Sequence, residues 1–168
     1  MDEREHVIVC GVDGSPASRQ ALEWAIDEAV RRGCRLRAVT VWSWDGLESG
    51  TATSSPQEAK RRASEVQQGE LDDMLGDRSV PVVEKLVLEG RPSEQLCTAA
   101  LDAELLVLGS HGHGVVHDVL VGSTSQHVIR HTSCPVVILP DPRHAKRELK
   151  RHHSKHRASP PQGIGPMF

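Results

Sequence analysis

Two glycine-rich segments contain the residue types that bind phosphate through the main chain. The first is 11–15 (GVDGS) and the second is 109–114 (GSHGHG), with Gly122 and Ser123 further along the chain. Glycine lets backbone amides approach an anion closely, and a helix N-terminus adds unpaired N–H donors at the positive end of a dipole. The pattern therefore predicts a phosphate cradle that needs no lysine.

The elements that would position these segments alternate between strand and helix. The predicted strands are 6–12, 36–42, 80–88, 104–108 and 135–139, and the predicted helices are 16–33, 57–75, 92–100 and 123–131. This order implies a parallel sheet with right-handed crossovers and helices on both faces. We therefore predict a doubly wound α/β fold.

Local signals refine the predicted helices. Ser15 before Pro16 predicts the N-cap of the first helix, and Gly33 predicts its end. The sequence from Ser123 to Gln126 has the form of a capping box for the fourth helix. In the second helix, the residues predicted to face the core are Ala59, Ala63, Val66, Leu71, Met74 and Leu75.

The predicted topology brings the two glycine-rich segments together. In an open α/β sheet, ligands lie beyond the carboxyl ends of the strands where the winding direction reverses, which here is between the first and fourth strands. The segments 11–15 and 109–114 leave those two strands. Phosphate binding at this crevice is the functional hypothesis that follows.

Three separated motifs resemble the universal stress protein family over roughly residues 6–140. They are the spacing Gly109-x2-Gly112-x9-Gly122-Ser123, the VDGS segment near the N-terminus, and CPVVIL at the end. The resemblance implies a Rossmann-like, five-stranded parallel sheet of order 3-2-1-4-5. It also implies ATP binding in members with this glycine spacing, and a homodimer paired through the last strand, 135–139.

The resemblance also assigns candidate residues. It places Asp13 at the ribose or the phosphates and the backbone near Val41 at the adenine. The candidate binding residues are Gly11, Val12, Asp13, Val41, Gly109, Ser110, Gly112, His113, Gly122, Ser123 and Thr124. Two positions depart from the family pattern, because His113 stands where many relatives have Lys or Arg and Thr40 where many have His. Both departures bear on affinity rather than on the location of the site.

Nucleotide binding, rather than catalysis, is the function that the sequence favours. It has no P-loop lysine and no second carboxylate paired with Asp13 to hold Mg²⁺ and orient a water. We therefore expect ATP with Mg²⁺ to be bound, with at most slow hydrolysis. Nucleotide occupancy would order the loop 109–122 and change the surface offered to an unknown regulatory protein.

Two other functions stay open at this point. The glycine loop could be empty and the chain a dimerising interaction module, since an unpaired last strand at the sheet edge needs a partner. The chain could also be an adenylyl-transferring enzyme, although such enzymes usually display Ser-Gly-Gly-x-Asp-Ser after the first strand and GVDGS matches that loop poorly.

Each residue type also has a structural explanation. The glycines and Asp13 could be ordinary turn residues. His111 with His113, and His127 with His131, could each bind a metal or be solvated. Trp24 and Trp42 are interpreted as packing residues rather than adenine stackers, and Cys134 as a structural thiol rather than a redox sensor.

Composition limits the compartment and the class of partner. Hydrophobic residues make up 38% of the 168, without a run long enough to span a membrane, so we expect a protein that does not enter one. The four cysteines are spread singly and the N-terminus has no basic leader, which favours a reducing cytoplasm without export. Aromatic residues are only 2%, which counts against binding single-stranded nucleic acid by stacking.

Charge divides the chain into a body, 1–140, and a tail, 141–168. The net charge is −3, yet the tail holds seven Lys and Arg residues against two acidic ones. The tail also contains His144, His152, His153 and His156. We predict a disordered, solvated extension, with a metal, an acidic polymer or nonspecific nucleic acid as alternative ligands.

Overall fold

A parallel five-stranded sheet forms the centre of the computed structural model, which describes residues 6–44, 55–80, 82–112 and 121–142. The elements run β1 (Val7–Gly11), α1 (Pro16–Arg32), β2 (Arg35–Trp42), α2 (Pro56–Leu75), β3 (Val83–Glu89), α3 (Pro92–Ala99), β4 (Leu105–Gly109), α4 (Ser123–His131) and β5 (Val136–Leu139). The strand order is β3-β2-β1-β4-β5, and all four pairings are parallel. The predicted doubly wound α/β fold and its strand order are confirmed.

Alternate residues of the central strands supply two cores, one on each face of the sheet. Because successive side chains of a strand point to opposite faces, each buried strand contributes to both cores. The first core joins Ile8, Cys10, Leu36, Ala38 and Val107 to the apolar residues of α1 and to Leu71 of α2. The second joins Val7, Val9, Val39, Leu106 and Leu108 to α3 and α4.

Local sequence signals place α1 as predicted. The Ser15 Oγ accepts a hydrogen bond from the Ser18 amide at 3.2 Å, and Pro16 is the first helical residue. Gly33 ends the helix with φ of 66°, a conformation that glycine adopts without steric cost. The first turn of α1 therefore begins directly behind the Asp13–Gly14 turn.

The predicted inward position of Val66 is wrong. Val66 is 40% exposed, and its neighbour Gln67 is 2% exposed. Residues three and four apart share one face of a helix, so Leu71 and Leu75 bring Gln67 to the sheet and leave Val66 in solvent. The Gln67 amide is accommodated because it finds hydrogen-bond acceptors there.

The predicted capping box of α4 does not form. Gly122 is the N-cap, and its carbonyl accepts from the Gln126 amide at 2.9 Å. The Gln126 side chain donates instead to the Val121 carbonyl at 2.7 Å. The Gly122 amide is held by the Ser110 carbonyl at 2.7 Å, which starts the helix one residue before the Ser123 cap that the sequence predicted.

Several boundaries differ from the prediction. β3 begins at Val83 rather than at Val80. Asp141, which the predicted boundary places in the tail, is 3% exposed, and its amide donates to the Ser110 Oγ at 3.1 Å. The rest of the basic tail, from 143 onwards, lies outside the described residues. Among the helices in the described ranges, none has the length and apolar character needed to cross a bilayer.

Candidate functional site

A cavity of about 590 Å³ opens at the carboxyl ends of β1, β2 and β4. This volume is typical of small-molecule sites. Its lining residues are Gly11, Val12, Asp13, Ser18, Val39, Val41, Pro92, Leu96, Leu108, Gly109, Ser110, His111, Gly112, Val121, Gly122, Ser123, Thr124, Ser125 and Gln126. The structure thus brings ten of the eleven candidate residues to one cavity, and His113 lies outside the described residues.

The two glycine-rich loops meet at the mouth of this cavity. The Ser15 Oγ donates to the His111 carbonyl at 3.2 Å. A Cβ added at Gly112 would lie 2.6 Å from the Asp13 Oδ2, so only glycine allows this approach without moving the carboxylate. The other carboxylate oxygen, Oδ1, accepts from the Ser15 amide at 2.8 Å. The Asp13 side chain is therefore fixed between the two loops.

Gly109 has a packing role in addition to its place in the lining. A Cβ at this position would lie 2.6 Å from the carbonyl carbon of Ala17 and 2.7 Å from the Ser18 nitrogen. Such distances are far below van der Waals contact, so glycine is required for the first turn of α1 to lie against the end of β4. The group that approaches Gly109 closely is the backbone of α1. This contact fixes the depth of the crevice.

The N-terminus of α4 supplies backbone donors to the cavity. Gly122 is the N-cap, so the amides of Ser123, Thr124 and Ser125 have no acceptor one turn earlier in the helix. All three residues line the cavity. The Ser125 Oγ donates to the Gly109 carbonyl at 3.0 Å, which ties this turn to the end of β4. The arrangement suits an anion, because the donors and the positive end of the helix dipole face the same space.

The apolar part of the lining includes one edge of β2. Its side chains come from Val39, Val41, Pro92, Leu96 and Leu108. The pairing of β1 with β2 ends at Gly11 opposite Val39, and the Val12 amide donates to the Val39 carbonyl at 2.8 Å. Alternate residues of a strand direct their backbone groups to the same side. The amide and carbonyl of Val41 therefore point past the end of β1.

Charge in the described lining is sparse. Asp13 is the one carboxylate among the lining residues, and these residues include no Lys or Arg. An anion here would be balanced by main-chain amides and by a cation held at Asp13. Beneath the site, burial raises the pKa of the Cys10 thiol, and the nearby Asp13 carboxylate raises it further. Cys10 is therefore a neutral core thiol and no nucleophile for the site.

Sequence reasoning missed part of the apolar wall. Pro92 and Leu96 lie four residues apart at the start of α3, and Val39 lies two residues before Val41 on the same side of β2. The signals were present, since i and i+4 share a helix face and i and i+2 share a strand face. They were usable only once the face of the sheet that opens into the cavity was known.

The described residues give no support to the metal sites that histidine spacing offers as an alternative. The His127 and His131 rings stack with centroids 4.0 Å apart, and the His131 Nδ1 lies 2.8 Å from the His127 carbonyl. Within the described ranges, no group of three His, Cys, Asp or Glu residues could hold a metal ion. Trp24 packs against the first core, and neither it nor Trp42 is among the lining residues.

Comparison with known proteins identifies the family. The model of the universal stress protein family matches residues 5–140. The chain belongs to this family. Among curated members, Universal stress protein Rv1996 of Mycobacterium tuberculosis is 37% identical over 135 residues, which are 78% of this chain and 43% of that protein. The chain thus spans less than half the length of the mycobacterial relatives it matches.

Solved structures of the family share the fold. The universal stress protein UspA from Lactobacillus plantarum is 26% identical and superposes with a TM-score of 0.58, over 82% of this chain and 99% of that chain. Two further structures are complexes with adenine nucleotides. One is a universal stress protein bound to cAMP, with 23% identity, a TM-score of 0.54 and coverage of 81% of this chain and 97% of that chain. The other is the Archaeoglobus fulgidus protein bound to dAMP, with 22% identity, a TM-score of 0.51 and coverage of 80% of this chain and 98% of that chain.

Proposed function

We propose that this universal stress protein binds ATP with Mg²⁺ in the described cavity and acts as a nucleotide-dependent regulatory homodimer. One observation carries the proposal: apolar side chains beside the end of β2, Asp13 after β1 and the N-terminus of α4 beside the end of β4 line one cavity, in the order of these strands in the sheet. These three features match the base, the phosphates and the metal of a nucleotide. The cAMP and dAMP complexes of family members support an adenine nucleotide as the ligand class.

The apolar end of the cavity suits adenine. The base would lie between the side chains of Val39, Leu96 and Leu108, with its polar edge towards the backbone of Val41. Adenine carries an amino donor beside a ring-nitrogen acceptor, which matches the carbonyl and amide of one residue. Guanine has a carbonyl at the position of that amino group. ATP is therefore expected to bind more tightly than GTP.

The opposite end suits the phosphates and Mg²⁺. The Ser123, Thr124 and Ser125 amides would donate to phosphate oxygens. Mg²⁺ prefers oxygen ligands and is commonly held by one carboxylate, phosphates and waters. Asp13 fits this role, since it is the carboxylate of the described lining. The ion would neutralise the negative charge that Asp13 and the phosphates share.

Binding without efficient turnover is the expected behaviour. Fast phosphoryl transfer needs a group that positions the attacking water and cations that stabilise the transferring phosphoryl. Beside Asp13, the described lining offers hydroxyls, backbone amides, His111 and Gln126, whose side-chain amide donates to the Val121 carbonyl, and it includes no Lys or Arg. Hydrolysis would therefore be slow, and the nucleotide would act by its presence on a regulatory partner in the cytoplasm. In support of that compartment, all four cysteines are free thiols.

The edge strand β5 would form the homodimer. Val136, Val137, Ile138 and Leu139 are all partly exposed on the outer edge of the sheet. An apolar edge strand exposes unpaired backbone groups to any other strand, and a second copy of the same strand satisfies them. The Leu139 carbonyl accepts from the Ser110 amide, so the backbone groups of its neighbour Ile138 face outwards. Sedimentation equilibrium of the full chain should show a dimer, and an Ile138→Pro variant, which removes an outward-facing backbone donor, should weaken it.

Calorimetric titration of the full chain with ATP and Mg²⁺ tests the nucleotide proposal. In the Gly122→Val variant, the added side chain would occupy the space where a Cβ already approaches the Ser110 carbonyl to 3.3 Å, and binding should be lost. Gly69→Val is the matched control, because a Cβ at Gly69 meets nothing within 4 Å. At a hundredfold excess over the Kd, ATP should stabilise the wild-type fold by about 2.7 kcal/mol.

The titration distinguishes nucleotide binding from the alternative function, a dimerising interaction module. If the protein binds no adenine nucleotide at millimolar concentration, and its freshly purified form releases none on denaturation, the nucleotide proposal fails. A dimer that persists in that case would identify an interaction module. Dimerisation or partner capture that changes with ATP would instead support the regulatory mechanism.

A further inference from the structure

A buried polar chain runs from α2 to the edge of the cavity. α2 has two buried residues, Leu71 and Gln67, and the Gln67 side chain lies against the sheet. Its Nε2 is 3.1 Å from the Ala38 carbonyl, 2.9 Å from the Leu86 carbonyl and 3.2 Å from the Thr40 Oγ1. A buried amide is costly unless it is hydrogen-bonded, and here it has three acceptors on two strands.

Thr40 continues this chain towards the cavity. Thr40 is 5% exposed, and its hydroxyl donates to the Val12 carbonyl at 2.7 Å. Because the hydroxyl proton is used for Val12, the oxygen is the acceptor in its contact with Gln67. The hydrogen bonds therefore have one consistent direction, from Gln67 to Thr40 and from Thr40 to Val12.

The peptide that links Val12 to Asp13 is fixed at both of its polar atoms. Its carbonyl accepts from Thr40, and its amide, that of Asp13, donates to the Ser18 Oγ at 3.0 Å. The preceding amide, that of Val12, is held by the Val39 carbonyl at 2.8 Å. Since peptide units are planar, holding these atoms fixes the Asp13 Cα, the point from which its side chain leaves the backbone.

Thr40 itself is not in the cavity. Val39 and Val41, its neighbours on β2, line the cavity, and side chains alternate between the faces of a strand. Thr40 lies on the other face, where Gln67 of α2 also packs. The Thr40 hydroxyl therefore acts on the ligand side of the sheet through the Val12–Asp13 peptide that it holds.

We propose that Thr40, held by Gln67, is a positioning residue of the nucleotide site, because its hydroxyl fixes the Val12–Asp13 peptide and thereby the Asp13 carboxylate. This inference rests on the proposed function. It places one residue that determines nucleotide affinity on the face of the sheet opposite the ligand. A β-branched residue with a donor at this position keeps both the strand and the hydrogen bond.

Thr40→Val is the decisive variant, since it replaces the hydroxyl by a methyl group of similar size. The Val12 carbonyl loses its donor, whereas Gln67 keeps the Ala38 and Leu86 carbonyls. We expect the Kd for ATP with Mg²⁺ to rise about tenfold, as for the loss of a buried hydrogen bond. Thr40→Ser should restore binding, because it retains the hydroxyl. Thr98→Val is the control, since among the described residues the Thr98 hydroxyl bonds within α3, to the Glu94 carbonyl at 3.0 Å.

A second readout does not depend on the ligand. Hydrogen exchange of the nucleotide-free full chain should show the amides of Val12 and Asp13 exchanging about tenfold faster in Thr40→Val, with Thr40→Ser close to wild type. Titrations are made well below the melting temperature of each variant, so that loss of fold does not enter the Kd. The Gln67→Met variant should show a smaller effect in the same segment, non-additive with Thr40→Val.

The outcomes separate this inference from the proposed function. Thr40→Val with unchanged exchange at Val12 and Asp13, or with wild-type Kd for ATP, overturns the positioning role while nucleotide binding stands. A wild-type protein that binds no adenine nucleotide overturns the proposed function, and the exchange result then decides alone whether Thr40 holds the turn. A Thr40→Ser variant as weak as Thr40→Val would show that packing, not the hydroxyl, is what matters.

Discussion

The two faces of the sheet are covered by helices of very different length. On one face α1 and α2 have 17 and 20 residues, and on the other α3 and α4 have 8 and 9. At about 1.5 Å per residue, the longer helices extend well past a strand of five residues, whereas the shorter ones end near it. The cavity lies where α3 and α4 begin. We therefore call the face covered by α1 and α2 the closed face, and the face covered by α3 and α4, where the cavity opens, the open face.

The polar contacts differ in the same way. Between α1 and α2, Arg19 pairs with Glu70 and Asp73 on the outside of the first core. On the other face, the backbone donors of the first turn of α4 point into the cavity. Arg19, Glu70 and Asp73 thus pair within the chain on the closed face, whereas the open face leaves backbone donors available to a ligand.

Truncating one leucine on each face of the sheet should give the largest effects of this series. The effects on stability and on ATP binding should differ between the two faces. Leu22 is fully buried in the first core, and Leu22→Ala should reduce the free energy of unfolding by about 4 kcal/mol without changing the Kd for ATP. Leu96 lines the cavity, and Leu96→Ala should cost about 2 kcal/mol and weaken ATP binding severalfold. Urea unfolding and calorimetric titration measure both. Equal effects of the two variants on ATP binding would remove the distinction between the faces.

A substitution at Gly109 tests how closely α1, on the closed face, packs against the end of β4. Gly109→Ala forces a methyl group against the backbone of Ala17 and Ser18, and we expect a loss of about 2 kcal/mol in the free energy of unfolding. Gly69→Ala is the matched control, because it lies in α2 with open space at its Cβ and should stabilise the fold by about 0.5 kcal/mol. A Gly109→Ala variant as stable as wild type would mean that α1 does not rest on the end of β4.

An ion pair between β2 and the segment after α3 gives a smaller, pH-dependent effect on the free energy of unfolding. The Arg37 side chain donates to Asp102 at 2.6 Å and to the Ala99 carbonyl at 2.8 Å, and its hydrogen bond lowers the pKa of the Asp102 carboxyl. A carboxyl with a lowered pKa stabilises the fold above its ordinary pKa and loses that contribution as the pH falls. The Asp102→Asn variant should therefore be less stable than wild type at pH 7 and converge with it in acid. A difference in the free energy of unfolding that does not shrink as the pH is lowered from 7 into the acid range would contradict this linkage.

The exposed pairs of the closed face should matter least. Arg19→Met removes the contacts with Glu70 and Asp73, although the side chain of Arg19 is 45% exposed. Water and salt weaken such pairs, so the loss of stability should be the smallest of this series and should disappear in 1 M salt. Thermal melts of variant and wild type at low and high salt measure it. A loss larger than that of Gly109→Ala would show that ion pairs, not packing, hold α2.

The fold followed from the sequence because the signals were local and periodic. Apolar runs marked the strands, and Ser15, Pro16 and Gly33 marked the limits of α1. The strand order came from the family resemblance. Gln67 could not be predicted, because its burial depends on acceptors of β2 and β3 that only the folded sheet brings together. Tertiary contacts, rather than a local sequence signal, determine which face of α2 packs on the sheet.

The site was predictable in location but not in detail. The glycine spacing and the switch in winding direction indicated which loops meet. The cap of α4 was missed, since the Ser110 carbonyl that holds Gly122 lies in another loop. The contribution of α3 to the cavity was also missed, because the spacing of Pro92 and Leu96 places them on one helix face but does not distinguish a wall of a site from ordinary packing.

Amide chemical-shift mapping of the full chain with ATP and Mg²⁺ tests the central claim most directly. The account predicts saturable shifts concentrated at Val12, Asp13, Val41, Ser123 and Thr124, with Gly69 and the outer surface of α2 unchanged. GTP should produce smaller shifts at the same amides. An absence of shifts, or shifts confined to the basic residues 143–168, would contradict the assignment of this cavity as the nucleotide site.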